Sequence, residues 1–175
     1  YSKYKLTIEK YLKKIATQNF KVIILRYPNI IGSSPNGKLG EKNFYITRII
    51  PSFYKNLIKN KNNILFYDFS KKSFPKRNYI HVEDIADINV KVIQNLKKFK
   101  KNYNVFNINN KKQYSNIDVL KSISKIIKKK PKYSLKQISK KESMSQFHKS
   151  KDNLARYVSF KIKNKNLEKI LKTNK

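Results

Sequence analysis

Residues Phe20-Lys21-Val22-Ile23-Ile24-Leu25-Arg26-Tyr27 form a nearly continuous apolar run directly after a stretch of helical periodicity. A run that does not alternate is unsuited to a sheet with one wet face. It predicts a strand covered on both sides, as in parallel sheets flanked by crossover helices. Upstream, Leu6, Ile8, Leu12 and Ile15 stand among lysines, which predicts an amphipathic helix from Tyr1 to about Gln18, with Asn19 able to end it. Helix followed at once by a buried strand is an α/β crossover and not a bundle. Pro28 stops the strand, and the only three glycines of the chain, Gly32, Gly37 and Gly40, fall in the loop beyond it. Their concentration there predicts backbone angles that other residues resist.

The rest of the chain continues the α/β pattern. A second amphipathic helix is expected from Ile46 to about Asn60, with Pro51 near its start, then a short strand at Ile64–Tyr67. Asp68–Lys76 reads as a polar loop and Arg77–Val82 as extended. Glu83–Lys98 reads as a helix opened by an acidic pair that suits the positive end of its dipole. Tyr103–Ile108 is a further strand. Ser115–Lys129 is a helix with Ser115 as N-cap and Asp118 at the capping-box position. Lys130–Ser143 is basic and extended, Ser150–Arg156 a short helix, and Asn166–Leu171 a closing one. No internal repeat and no linker divides the chain.

Composition narrows the function classes. With 39% hydrophobic and 13% aromatic residues among 175, a packed core is expected and wholesale disorder is not. No apolar run approaches the ~20 residues of a membrane span, so no membrane partner is expected and the default compartment is the cytoplasm. Without cysteine there is no disulfide framework or thiolate metal site. His81 and His148 are the only histidines; His81 reads as a structural residue between a strand and a helix, and no metal is expected. The net charge of +32 suggests a polyanion binder, yet only four of the 42 basic residues are arginine: Arg26, Arg48, Arg77 and Arg156. Phosphate and base recognition favours the planar guanidinium fork, and the lysines are spread through every segment. Abundant Lys, Asn, Ile, Tyr and Phe with scarce Ala and Gly is the balance that A/T-rich codons produce. The charge is therefore read as compositional, with no specific nucleic-acid partner. Asp84 and Asp87 are read as helix-front residues, and Lys128-Lys129-Lys130 as a solvated helix end.

On the first helix Tyr1 and Lys5 stand one turn apart on one face. A phenol titrates near pH 10, and a nearby ammonium stabilises its anion, so such a pair can serve as one acid–base unit at neutral pH. That spacing also arises by chance on lysine-rich helices.

Four segments in order carry a resemblance. Tyr1-Ser2-Lys3-Tyr4-Lys5 with Leu6, Ile8 and Glu9 is similar to the YGxSKxxxE helix of the extended short-chain dehydrogenases. Leu25-Arg26-Tyr27-Pro28-Asn29-Ile30-Ile31-Gly32 resembles their LRYFNVxG strand and loop. Arg77-Asn78-Tyr79-Ile80-His81-Val82-Glu83-Asp84-Ile85-Ala86-Asp87 resembles RDYIHVEDLAD. Tyr103-Asn104-Val105-Phe106-Asn107-Ile108 followed by Tyr114-Ser115 resembles the YNLGxGxGxS turn. Within that superfamily of NAD-dependent epimerases and dehydratases, the spellings are most similar to those of the UDP-glucose 4-epimerases, in the part C-terminal to the catalytic tyrosine.

The resemblance implies an α/β fold: the end of a Rossmann domain plus the smaller mixed α/β substrate-binding domain, over residues 1–175. The N-terminal nucleotide-binding half, with its glycine-rich turn and catalytic Ser/Thr, is expected upstream in a longer protein. This chain alone is then expected to be inactive. The implied activity interconverts UDP-glucose and UDP-galactose by NAD-dependent oxidation to a 4-keto-sugar and non-stereospecific return of hydride. Tyr1 would be the base; Lys5 would lower its pKa and hold the nicotinamide ribose; Tyr27 would line the NAD pocket. Asn29 would bind the UDP-sugar, Phe66 would contact uracil, Arg77 the phosphates with Tyr79 beside them, and Lys141 would stand for a second nucleotide-binding arginine. A homodimer is also implied. Alternatives are another UDP-sugar epimerase or dehydratase of the same family, or an inactive fragment or basic polyanion-binding protein.

The chain departs from the pattern at several points. Ser2 and Tyr4 replace Gly and Ser, Asn78 replaces the Asp of RDY, and Met144 stands where a second motif has Asp. Asn107-Ile108-Asn109 replaces Asn-Leu-Gly, which leaves a turn expected to need positive φ to asparagine.

Overall fold

Residues 2–34, 36–40, 48–139 and 153–172 are described by a computed structural model. In chain order the elements are α1 (Ser2–Ile15), β1 (Val22–Arg26), β2 (Asn29–Ile31), α2 (Ile49–Ile58), β3 (Asn63–Tyr67), β4 (Lys76–His81), α3 (Val82–Gln94), β5 (Tyr103–Asn107), β6 (Gln113–Ser115), α4 (Asn116–Ile127), β7 (Tyr133–Gln137) and α5 (Leu167–Lys172). Short 3₁₀ turns lie at Leu96–Lys98 and Leu154–Arg156. The strands pair as β1–β5, β3–β7 and β2–β4, all parallel, with β6 antiparallel to β4. Contacts divide the chain into two units, and the chain passes between them several times instead of once through a linker.

The first unit holds α1, β1, most of α3, and β5. Parallel register runs from Val22 opposite Tyr103 to Arg26 opposite Asn107. Behind it Phe99 stacks on Tyr157 at 4.8 Å, and Phe106 meets both rings edge-on at 5.9 and 5.7 Å. Phe99 and Phe106 are fully buried, and aromatic rings of this kind remove ~150–250 Å² each from water. The coverage expected for β1 holds at Val22 only, since Ile23, Ile24 and Leu25 are half-buried. The apolar stripe of α1 is likewise largely exposed, with Ile8 at 52% and Tyr11 at 61%. A ribbon of two strands ~5 Å apart is narrower than a helix ~10 Å across, so it covers only part of the helix.

Local chemistry sets the helix ends. α1 stops at Ile15, short of Gln18, where the Phe20 N–H reaches the Thr17 Oγ1 at 3.1 Å and forms a turn. α3 ends at Gln94 instead of Lys98. The Asn95 side chain donates to the Lys91 carbonyl at 2.8 Å and turns the chain into the 3₁₀ segment.

The second unit is larger. α2 turns Ile50, Phe53 and Leu57 inward, α4 adds Val119, Leu120 and Ile123, and α5 adds Leu167, Ile170 and Leu171 around Leu65 and Tyr79. The spacings are those of single helix faces, and each fully buried aliphatic contributes about 1.5–3 kcal/mol. The Tyr54 hydroxyl ties α2 to the end of α5 by donating to the Leu171 carbonyl at 2.8 Å. α4 begins as its sequence requires: Ser115 Oγ accepts the Asp118 N–H at 3.2 Å, and the Asp118 carboxylate accepts the Ser115 N–H at 2.9 Å.

The glycine loop meets its expectation at two positions. Gly32 has φ +104 and Gly37 has φ +67, whereas no such angle occurs at Gly40. The left-handed turn expected at Asn107-Ile108-Asn109 does not form. Among the described residues the positive-φ non-glycines are Asn60, Lys72 and Lys128, and the chain leaves β5 with the Ile108 N–H bonded to the Arg26 carbonyl at 2.8 Å.

Candidate functional site

Parallel pairing in the second unit puts Asn29 of β2 directly opposite Tyr79 of β4. Arg77 lies two residues earlier on β4, on the same face by strand alternation, and is paired in turn with Tyr114 of β6. The Asn29 Nδ2 donates to the Asn78 carbonyl at 3.2 Å, which fixes which end of its amide points outward. Phe66 closes the same unit from β3. Its carbonyl accepts the Asn116 Nδ2 at 2.7 Å, next to the Ser115 cap that pairs with Lys76 of β4. Four expected residues, Asn29, Phe66, Arg77 and Tyr79, thus belong to one framework. Asn29 is exposed, Phe66 and Arg77 half-buried, and Tyr79 buried in the core. Burial pushes the Tyr79 phenol above its ordinary value, against a smaller downward pull from the Arg77 charge, so it is neutral at pH 7.

Asn78 and Asp84 organise this framework. The Asn78 side chain reaches the 109–112 turn, with Nδ2 on the Asn110 and Lys112 carbonyls and Oδ1 on the Asn110 N–H. Asp84 is buried and accepts the backbone N–H groups of Lys163 and Asn164 at 2.9 and 3.2 Å. Its expected role at the front of a helix is therefore incomplete: the carboxylate also holds the segment leading into α5, a partner some 80 residues away in sequence. Asp87 does act locally, pairing with Lys91 at 3.3 Å. His81 is structural as expected. It is fully buried, its Nδ1 accepts the Glu83 N–H at 3.2 Å, and its ring fills the space a side chain at Gly32 would need. Among the described residues no group of three or more metal-binding side chains occurs, and no helix is long and apolar enough to cross a membrane.

In the first unit Lys5 lies on the exposed side of α1. The Tyr27 hydroxyl donates to Asn89 Oδ1 at 3.0 Å, and burial raises its pKa despite that bond. Arg26 is held by a bidentate pair with Glu9 of α1. Tyr1 and Lys141 lie outside the described residues. A dinucleotide needs ribose partners and a glycine-bearing turn for its pyrophosphate. Lys5 and Tyr27 are groups of the first kind. Of the second kind, Gly32 has its open side closed by His81, whereas nothing lies within 4 Å of the open side of Gly37. Lys5 and Tyr27 fit the ribose end of such a cofactor.

Parallel strand pairs with helical crossovers make this an α/β protein. The model of the NAD dependent epimerase/dehydratase family matches residues 1–108, more than half of the chain, and the chain belongs to that family. It is 29% identical over 130 residues to a UDP-glucose 4-epimerase of Lactobacillus helveticus, covering 72% of this chain and 39% of that protein. It is also similar in fold to the Bifidobacterium longum UDP-glucose 4-epimerase solved with NAD+ and UDP. There the TM-score is 0.81 at 22% identity, covering 97% of this chain and 51% of that one. The enzyme from Stenotrophomonas maltophila, with bound NAD and formylated UDP-arabinopyranose, gives a TM-score of 0.83 at 18% identity, with coverages of 99% and 52%. The chain thus spans about 39% of the curated relative's length and about half of the solved chains. The α/β fold expected from sequence is the fold observed.

Proposed function

We propose that this chain is the UDP-sugar-binding and catalytic-helix part of a UDP-glucose 4-epimerase. The observation that carries the proposal is the register of β2 on β4, which sets Asn29 opposite Tyr79, two residues along the strand from Arg77, in a family member. Arg77 supplies the guanidinium that a diphosphate calls for, with Lys141 as a second cation and Phe66 on the uracil side. Asn29 presents its amide to the sugar nucleotide. Tyr1 takes the proton of the sugar 4-hydroxyl as the C4–H bond is oxidised, and returns it on reduction. Lys5 favours the phenolate by its charge and holds a ribose hydroxyl, beside Tyr27. NAD, when bound, supplies reversible hydride acceptance at C4.

The homodimer belongs to the same proposal. Tyr4, Ile8, Tyr11 and Ile15 repeat at intervals of four, three and four on the exposed side of α1, the spacing of a helix-pairing seam.

In a protein joining this chain to its nucleotide-binding half, UDP-glucose is converted to UDP-galactose. Tyr1→Phe abolishes that turnover while UDP still binds, and unchanged turnover would sink the assignment. Arg77→Ala weakens UDP binding about tenfold or more, as loss of a charge-assisted bond requires. Product analysis with UDP-glucose separates this activity from that of a dehydratase or another UDP-sugar epimerase.

A further inference from the structure

Asn78 stands between Arg77 and Tyr79 and is 7% exposed. Its side chain spends both amide hydrogens on main-chain carbonyls, that of Asn110 at 2.9 Å and that of Lys112 at 2.7 Å. Its Oδ1 accepts the Asn110 N–H at 3.0 Å. Its own carbonyl receives the Asn29 amide at 3.2 Å. The clamped turn leads into β6, where Gln113 and Tyr114 pair back onto Asn78 and Arg77. On its far side the Asn110 side chain reaches the carbonyls of Asn164 and Lys165 at 3.5 and 3.4 Å. One side chain therefore fixes the peptide that orients Asn29 and the strand that carries Arg77.

We propose that Asn78 is a positioning residue for the UDP-sugar site, holding Asn29 and Arg77 in their binding orientation through the two hydrogen bonds it donates to the 110–112 turn. The role rests on the UDP-sugar reading above and adds a residue to it. What matters is the donor. Aspartate has the same shape and stands at this place in the RDYIHV pattern, but a carboxylate only accepts. Here it would set oxygen against two carbonyl oxygens at hydrogen-bond distance. The substitution that restores the family spelling is thus the damaging one in this chain.

The test is titration of the full chain with UDP, each variant first shown to be folded by circular dichroism. Asn78→Asp is expected to bind UDP ~10-fold or more weakly at about pH 7.5, the effect of losing one to two hydrogen bonds. Burial raises the pKa of a carboxyl, and the protonated acid regains one donor. The ratio of variant to unsubstituted Kd should therefore shrink ~3-fold or more by about pH 5.5. Asn110→Ala keeps every main-chain partner of Asn78 and should bind within ~2-fold of the unsubstituted chain while losing stability. Should Asn78→Asp not fold, Asn78→Ser keeps one neutral donor and is expected to bind ~3-fold or more weakly. A folded Asn78 variant with unchanged UDP affinity overturns the positioning role alone. Absence of UDP binding by the unsubstituted chain overturns the UDP-sugar reading, and this role with it.

Discussion

Replacing Gly32 by alanine places a methyl group where the His81 imidazole already stands. An ideal Cβ there lies 2.3 Å from Nε2 and 2.4 Å from Cδ2, against about 3.5–4.0 Å for a comfortable contact. The ring has little room to yield, being fully buried and bonded through Nδ1 to the Glu83 N–H. The backbone adds a second penalty, because φ is +104. A strained φ costs about 1–3 kcal/mol and overpacking a tight site another 1–3 kcal/mol or so. Gly32→Ala should therefore destabilise by roughly 2–6 kcal/mol, enough to shift a urea transition far outside error. Truncation of the ring separates the two parts. In a Gly32→Ala, His81→Ala double variant the steric part disappears and the φ part stays, so the two substitutions should couple by about 1–3 kcal/mol. Urea titration followed by far-ultraviolet circular dichroism measures all four corners of this cycle. A loss below about 1 kcal/mol for Gly32→Ala, or strict additivity in the double variant, would refute the steric account.

Three further outcomes follow from the same framework. Ser115→Ala removes the hydroxyl half of the capping box on α4 and should cost about 0.5–2 kcal/mol in urea unfolding; no loss would remove the cap from the account. Asp84→Asn leaves one oxygen for two backbone donors, should cost about 1.5–3 kcal/mol, and should raise amide exchange at Lys163, Asn164 and α5 before other regions. Burial lowers the His81 pKa from 6.5, opposed by the charges of Glu83 and Asp84. Above pH 6.5 folded and unfolded states are both neutral at this site. Below it the unfolded chain binds a proton that the folded one refuses, so stability falls with pH until the folded imidazole itself titrates. The denaturation midpoint should drop between about pH 7 and pH 5, and a His81→Gln variant should show a shallower drop; a midpoint that rises on acidification contradicts it.

Local rules recovered what is local. Ser115 and Asp118 cap α4 because a hydroxyl and a carboxylate three residues apart can satisfy two orphan N–H groups without help from the rest of the chain. Gly32 was legible as a special backbone position, but not the reason for it, since His81 lies 49 residues away. Asp84 was legible as a helix-front acid, yet its larger role depends on backbone donors at Lys163 and Asn164 that no periodicity connects to it. That α1 carries an apolar stripe is shown by its periodicity. Periodicity alone did not tell that β1 and β5 leave it exposed. The candidate residues Asn29, Arg77 and Tyr79 are pointed to by the resemblance, and only strand register brings the first opposite the last.

Asparagine was the residue most easily dismissed as composition, and its placement argues otherwise. Among the described residues, five of the nine buried polar side chains are asparagines: Asn63, Asn78, Asn104, Asn110 and Asn116. Each donates its amide to a main-chain carbonyl, respectively of Lys132, of Asn110 and Lys112, of Lys101, of Asn164 and Lys165, and of Phe66. Carbonyls at the ends of strands and turns need a donor, and a carboxylate cannot supply one. In a chain with three glycines, turns that glycine would otherwise tighten are held by side-chain amides instead. The substitute has a cost, visible where the second end of the amide finds no partner. The Oδ1 atoms of Asn63 and Asn116 are buried without a hydrogen bond, a penalty of about 1–3 kcal/mol each. Side-chain amides are thus part of the framework around Asn29 and Arg77, where Asn78 donates to two main-chain carbonyls that a carboxylate could not serve.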